Sequence, residues 1–317
     1  MSLDLISLGN ICVDIFVPPH EPPPVGGLTV LSSLNLVPGG NGANTAITAA
    51  RLDVKTGVAG ILGDDVLGRF LKSVLEEEKV DTGLLTLLSG KSSPATLVFN
   101  DPSGERSFVH HPGTNAEYRL GEEAIDTPCK VFHFAAPELL PGFWPEAALA
   151  AARRLKAQAK TLSLDTFAVE GKDGAAVILK THRPFLALMD MVFPNQDEAR
   201  LITGKRDLRD MAAYFHDAGV GTVAIKRGEL GALLSWNGNS VEVPTARVAV
   251  VDTCGAGDNF SAGFLRGFLG GLDPLQCAAL GCALGTLCVQ FQGSITGTKN
   301  QERIQDILGQ FGFAPGA

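Results

Sequence analysis

Short apolar runs alternate with stretches of helical period along most of the chain. Residues 5–8, 56–61, 84–88, 131–134, 161–165, 189–193 and 222–226 read as strands, each apolar along most of its length. Residues 43–52, 66–78, 144–159, 175–179, 196–202 and 208–218 read as helices between them, and 258–268, 274–288 and 301–308 complete the series. Buried strands separated by helices predict an α/β fold of three layers, α/β/α, with a mainly parallel central sheet joined by right-handed crossovers.

Two excursions break that rhythm. Residues 29–37 read as a strand reached through a proline-rich loop at 18–24. Residues 95–100 and 106–110 read as a hairpin turned by Asp101-Pro102-Ser103-Gly104. Together they predict a small β-sheet lid, from about 14–37 and 95–112, inside a single domain spanning 1–317. A lid of this kind would keep water from a reactive donor. A second hairpin, 232–236 with 240–243, precedes a valine-rich run at 247–251.

Composition narrows the function. At 317 residues and 45% hydrophobic content the chain can build a sizeable core. The net charge of -8 argues against a nucleic-acid partner, which needs clustered cations. No apolar stretch reaches membrane length, and Met1 to Asp4 lacks the basic region of a signal peptide, so a cytoplasmic protein is expected. Six cysteines without paired spacing read as buried thiols in a reducing compartment. Cys254 stands apart because it lies in the glycine motif described next.

The chemistry concentrates in Asp252-Thr253-Cys254-Gly255-Ala256-Gly257-Asp258, between the valine run and a helix. Small residues at such a turn let the Gly255, Ala256 and Gly257 amides converge on an anion. An acid beside an anion cradle repels what the amides attract, so Asp258 is odd as a cap. It makes sense as a base taking a proton from an attacking hydroxyl. Gly39-Gly40-Asn41-Gly42-Ala43-Asn44 is a second place where backbone could meet a ligand, with Asn44 suited to a polyol. Ligands of open α/β sheets sit at the carboxyl ends of the strands. That gathers Asp14, residues 40–44, Asp165, residues 195–198, residues 226–231 and residues 255–258 at one place. No P-loop, protein-kinase, zinc-protease or nucleophile-elbow motif occurs. His110-His111 could touch substrate; a metal would need a third ligand that nothing nominates.

The two glycine motifs resemble the paired signatures of the ribokinase-like (PfkB) carbohydrate kinases, and the resemblance runs from Leu5 to about Gly297. It implies an ATP-dependent phosphotransferase acting on a hydroxyl, a primary one, of a sugar or sugar acid. Asp258 would be the base, and Gly255, Ala256 and Gly257 the anion hole. Asp14, Gly40 and Asn44 match sugar contacts, while Arg106 and His110 would discriminate between sugars. Asn195, Lys226, Gly228 and Gly231 fall on the nucleotide side. Glu198 would hold Mg2+ through water, and Asp252 with the loop near Gly293 resembles a K+ site found in some members. Some members dimerise through the lid, so a homodimer is an implied partner.

Two departures stand out. Cys254 replaces the commoner Thr, and Ala135-Ala136-Pro137 stands where ribokinase carries a substrate Glu, with Glu138 slightly late. A nucleoside kinase of the same fold, a sugar-binding protein without kinase activity and a small vitamin kinase are the alternatives.

Overall fold

A computed structural model describes residues 2–18, 25–100, 106–167 and 182–313. Its larger sheet has nine strands in the order β13-β12-β11-β10-β9-β8-β1-β4-β5. These are β1 (Leu3–Gly9), β4 (Thr56–Gly63), β5 (Leu85–Leu88), β8 (Cys129–Ala135), β9 (Thr161–Asp165), β10 (Met191–Val192), β11 (Thr222–Lys226), β12 (Ala232–Trp236) and β13 (Asn239–Val243). Pairing is parallel from β5 through to β11, and antiparallel from β11 to β12 and from β12 to β13 at one edge.

Alternation along the strands explains the layers. On β11, Val223 and Ile225 enter one core while Ala224 enters the other; on β12, Leu233 and Leu234 divide the same way. The first core is closed by α3 (Glu122–Asp126), α4 (Glu146–Ala157), α5 (Gln196–Thr203) and α6 (Leu208–Asp217). The second is closed by α7 (Ala256–Leu269), α8 (Pro274–Cys288) and α9 (Gln301–Gln310). A third cluster packs α1 (Asn41–Arg51) and α2 (Val66–Glu77) beside it. With both faces covered, near-continuous apolar strands are what the sheet requires.

The chain leaves β1 towards β4 on one side, then returns to place β8 on the other. Strand order therefore reverses at β1 and β8, and a crevice opens at their carboxyl ends, beside Gly9 and Ala135.

The smaller sheet has the order β3-β2-β6-β7, from β2 (Cys12–Val17), β3 (Asn35–Gly39), β6 (Ala95–Asn100) and β7 (Arg106–His111). Two expectations need correction here. Residues 12–17, not foreseen as a strand, form β2, which pairs with both β3 and β6. The strand expected over 29–37 starts only at Asn35, and 29–34 is irregular and largely exposed. The valine-rich run 247–251 forms no strand. Its Val250 and Val251 are each 60% exposed, and the Val251 and Asp252 amides are pinned to the Val289 carbonyl at the end of α8. β-branched composition signals extended backbone, but a ladder also needs a partner. Residues 19–24 of the proline loop, the turn at 101–104 and the helix expected at 175–179 lie outside the described residues.

The first turn of α1 meets β1 backbone to backbone. A Cβ on Gly42 would sit 2.9 Å from Gly9 N and 3.0 Å from Gly9 Cα, atoms that cannot swing aside. Gly42→Ala should therefore destabilise the fold by about 1–3 kcal/mol. Gly309→Ala, in α9 with open space around it, should instead be neutral or stabilise by up to about 1 kcal/mol. Urea midpoints of the two variants test the pair; equal shifts would mean that the Gly9–Gly42 contact is soft.

Candidate active site

Gly40 sets the entry to α1 in a left-handed conformation (φ 89), and a side chain there would collide with the Asn10 carbonyl. Gly42 N donates to that same carbonyl at 3.0 Å, and Ser7 Oγ donates to Gly42 O at 3.0 Å. So fastened to β1, the first turn of α1 projects two amides towards α7. Asn41 Nδ2 donates to Asp258 Oδ1 at 2.9 Å, and Asn44 Nδ2 donates to Asp258 Oδ2 at 2.8 Å. Asn44 Oδ1 is buried without a hydrogen-bond partner. A buried acceptor left open is uncommon, and a ligand hydroxyl is the kind of group that completes it.

Asp258 lies in the first turn of α7 and is only 4% exposed. Burial, followed by the nearby Asp165 carboxylate, pushes its pKa up to about 7, against the opposing pull of the Asn44 and Asn41 donors and Lys226. A carboxylate tuned to that range exchanges protons readily at neutral pH. Gly255 precedes it in the left-handed region (φ 76), packed so closely on Ser294 that a side chain would collide. The Ala256 amide makes a long turn bond to Thr253 O at 3.3 Å. The Gly257 amide belongs to the opening helical turn, where no earlier helical carbonyl is available.

Beside Asp258 opens a cleft of about 700 Å³, a size suited to a small organic ligand. Gly255, Ala256, Gly257, Asn195, Glu198, Lys226, Gly228 and Gly231 all line it, and Leu230, Val248, Val250 and Val289 give it apolar walls. Lys226 Nζ donates to Asp165 Oδ1 at 2.6 Å, and Ser261 Oγ donates to Asp165 Oδ2 at 2.9 Å. Burial works against the Lys226 charge, but Asp165 and Glu198 outweigh it and hold the ammonium above its ordinary pKa. Asn195 and Glu198 form a reciprocal cap on α5: each side chain takes the other's backbone amide at 2.8 Å. Thr166 Oγ1 also donates to Glu198 Oε2 at 3.0 Å. Burial raises Glu198 to about 7, with Lys226 opposing and Asp165 assisting.

The remaining expected residues lie outside the cleft lining. Asp14, Thr96 and His110 share one cross-strand row on β2, β6 and β7, with Thr96 Oγ1 and His110 Nδ1 3.0 Å apart. Burial, ahead of the Cys12 and Thr96 hydrogen bonds that oppose it, raises the Asp14 pKa. Burial and the neighbouring His111 lower that of His110. Arg106 opens β7, opposite Asn100. Asp252 accepts from Cys254 N at 2.6 Å and from Gly293 N at 2.8 Å, joining the two loops behind the cradle. Glu138 is turned to His182, with Oε1 2.8 Å from Nε2. Among the described residues no group of three or more His, Cys, Asp or Glu could enclose a metal ion.

Sequence reasoning left Asn41, Asp165, Ser261 and Asn259 without roles. A signal for the first of them was present. Asn41, Asn44, Thr48 and Arg51 recur at helical spacing along one side of a helix made otherwise of small residues.

The family model for pfkB family carbohydrate kinases matches residues 3–301. A protein of Archaeoglobus fulgidus described as an uncharacterized sugar kinase is 30% identical over 78% of this chain and 96% of its own length. A cytidine kinase of Thermococcus kodakarensis is 29% identical over 88% of this chain and 93% of its own. Arabidopsis thaliana ribokinase, solved in complex with ribose and ATP, superposes with a TM-score of 0.83 at 22% identity, covering 99% of this chain and 100% of that one. That likeness is one of fold. The matched model spans nearly the whole chain, both glycine motifs included, and the chain belongs to the pfkB family of carbohydrate kinases.

Proposed function

We propose that the protein transfers the γ-phosphoryl group of ATP in line to a primary hydroxyl of a sugar or sugar acid. The observation that carries this reading is the buried Asp258 carboxylate, held through both oxygens between the cleft and the start of α1. In that position it can take the acceptor's proton as the hydroxyl attacks. The amides of Gly255, Ala256 and Gly257 face the charge that develops on the transferring group. Asp14, Gly40 and Asn44 hold the acceptor, and the open Asn44 Oδ1 accepts a hydrogen bond from one of its hydroxyls. Arg106 and His110, on the outer strand of the small sheet, select among acceptors. That sheet serves as the lid of a single domain, and a homodimer through it is part of the proposal.

ATP occupies the cleft, its phosphates towards Lys226 and the turn of Gly228 and Gly231, its base against the apolar walls. Asp165, Glu198 and Asp258 set three carboxyl groups around the Lys226 ammonium. An entering polyphosphate adds several negative charges beside these carboxyl groups, so the site fits a divalent cation bound largely through water and phosphate. Glu198 and Asn195 are the residues that would orient Mg2+, and the ion would supply charge neutralisation at the phosphate oxygens. Asp252 is the anchor for an activating K+.

A nucleoside acceptor is the second reading, and strand register favours it. Phe16, Val98 and Phe108 form a cross-strand row on the same side of the small sheet as Asp14, Thr96 and His110, and Phe108 is 54% exposed. Phe99 points to the opposite side. A pure binding protein would have no use for the buried base or the acidic floor of the cleft.

ATP turnover across ribose, fructose, ketodeoxygluconate, tagatose phosphate, inositol, adenosine and cytidine should be saturable for one acceptor class. Signal with nucleosides alone would select the second reading, and sugar-dependent stabilisation without turnover would select binding. Asp258→Asn should lower kcat by roughly 10²–10⁴-fold while the acceptor still binds; near-normal turnover would remove Asp258 as base. Because the base works only when deprotonated, kcat/KM should fall as pH drops below about 7. Glu198 titrates over the same range, so the limb must persist in Glu198→Gln if it belongs to Asp258. Replacing potassium by sodium or choline should slow turnover, and equal rates would dispose of the Asp252 cation site.

A further inference from the structure

An anion cradle made of backbone needs its N–H groups turned forward and its carbonyls tied behind. The carbonyls behind this cradle converge on one side chain. Asn259, fully buried, donates through Nδ2 to Gly255 O at 2.7 Å and to Ser294 O at 2.7 Å. Its own backbone amide also donates to Gly255 O, at 2.9 Å. Its Oδ1 accepts from Thr48 Oγ1 at 3.0 Å, which fixes which end of the amide faces the two carbonyls. Cys288 Sγ reinforces the arrangement, lying 3.2 Å from Cys254 O and 3.3 Å from Ser294 O.

The clamp adds to that one backbone hydrogen bond at a residue with no side chain of its own. Gly255 has no side chain and a left-handed conformation, and it abuts Ser294 without room for a Cβ. Without the clamp, a rotation of the 255–256 peptide would swing a carbonyl towards the phosphate and an amide away from it. Such a flip replaces attraction by repulsion at the place where charge develops, with little change to the rest of the fold.

We infer that Asn259 is a positioning residue for phosphoryl transfer: held by Thr48, it ties the Gly255 and Ser294 carbonyls back so that the cradle amides face the transferring group. The inference rests on the cradle reading given above. It adds that the amides are competent only while this side chain holds them, and that α1, through Thr48, governs them as well as the base.

Asn259→Asp is the sharpest probe, because it keeps the size and the acceptor for Thr48 but sets an oxygen against two carbonyls. Initial rates would be measured with the acceptor turned over by the unmodified protein, or as basal ATP hydrolysis with water as acceptor. The expected result is a fall in kcat of about 10- to 100-fold, with KM for ATP and acceptor within about threefold of the original values. Thr48→Val, which leaves Asn259 in place but unoriented, should lower kcat by a smaller factor, and Thr48→Ser should restore it. Thr48 variants keep the test decisive should Asn259→Asp fold poorly. Unchanged kcat in Asn259→Asp or Thr48→Val, or a loss expressed only in KM or melting temperature, overturns the inference. Asp258→Asn serves as reference: if it abolishes turnover while the Asn259 and Thr48 variants do not, the base survives and the clamp falls. Full activity in Asp258→Asn would remove the reading of the base itself.

Discussion

The site depends on a polar seam between two helices. Along one side of α1, Asn41, Asn44, Thr48 and Arg51 reach in turn to Asp258, Asp258, Asn259 and the Ile295 carbonyl. The last three are buried, on a helix whose other residues are nearly all small. A buried polar group left unpaired costs about 1–3 kcal/mol, so sliding α1 by one residue against α7 would orphan several groups at once. Small apolar residues alone would pack nearly as well in neighbouring registers; the seam distinguishes them. It also forces the close approach at Gly9 and Gly42, because longer side chains there would hold the asparagines out of reach.

That seam sets the chemistry as well as the packing. Burying a carboxylate raises its pKa, and two amide donors with a neighbouring ammonium lower it again. At Asp258 the opposing effects leave a group that titrates near neutrality, which neither a solvated nor a fully isolated carboxylate would do. Asp165 contributes to both sides of the balance. It raises Asp258 directly, and it holds Lys226, whose charge lowers Asp258, close behind Gly257. The missing Cβ of Gly257 matters here, since a methyl group would press on Lys226 Nζ at 2.9 Å.

Much of this was legible in the sequence, for identifiable reasons. Apolar runs bounded by turn residues marked most strands of the large sheet, because parallel strands covered on both faces carry a dense signal. Residues 161–165, 222–226 and 232–236 coincide with β9, β11 and β12. The small sheet was read less well. β2 follows β1 after only two residues and carries Asp14 mid-strand, so its apolar pattern merged with that of its neighbour. The run 247–251 has the composition of a strand and no partner. The glycine motifs located the residues around Asp258, since backbone that must approach a ligand leaves a compositional trace. Asp165 was gathered to the site only by its place at a strand end, and Asn259 left no trace of its own: one aspartate and one helical asparagine acquire roles only when the fold supplies their partners.

The outer end of the seam shows how far the constraint extends. Arg51 makes a two-pronged contact with Glu78, just past α2, and its other nitrogen reaches Ile295 O and Thr298 Oγ1. The segment it holds also carries Gly293, whose amide binds Asp252, and Ser294, which backs Gly255. A buried ion pair of this kind adds little net stability, because desolvation offsets much of the attraction. Its effect is geometric. With Arg51 fixed by Glu78, Thr48 and Asn44 are placed by the rigidity of one helix, and the loop behind the cradle is placed by the same guanidinium. Base and cradle belong to adjacent residues of α7, yet each is aligned from outside that helix, and α1 supplies the alignment for both.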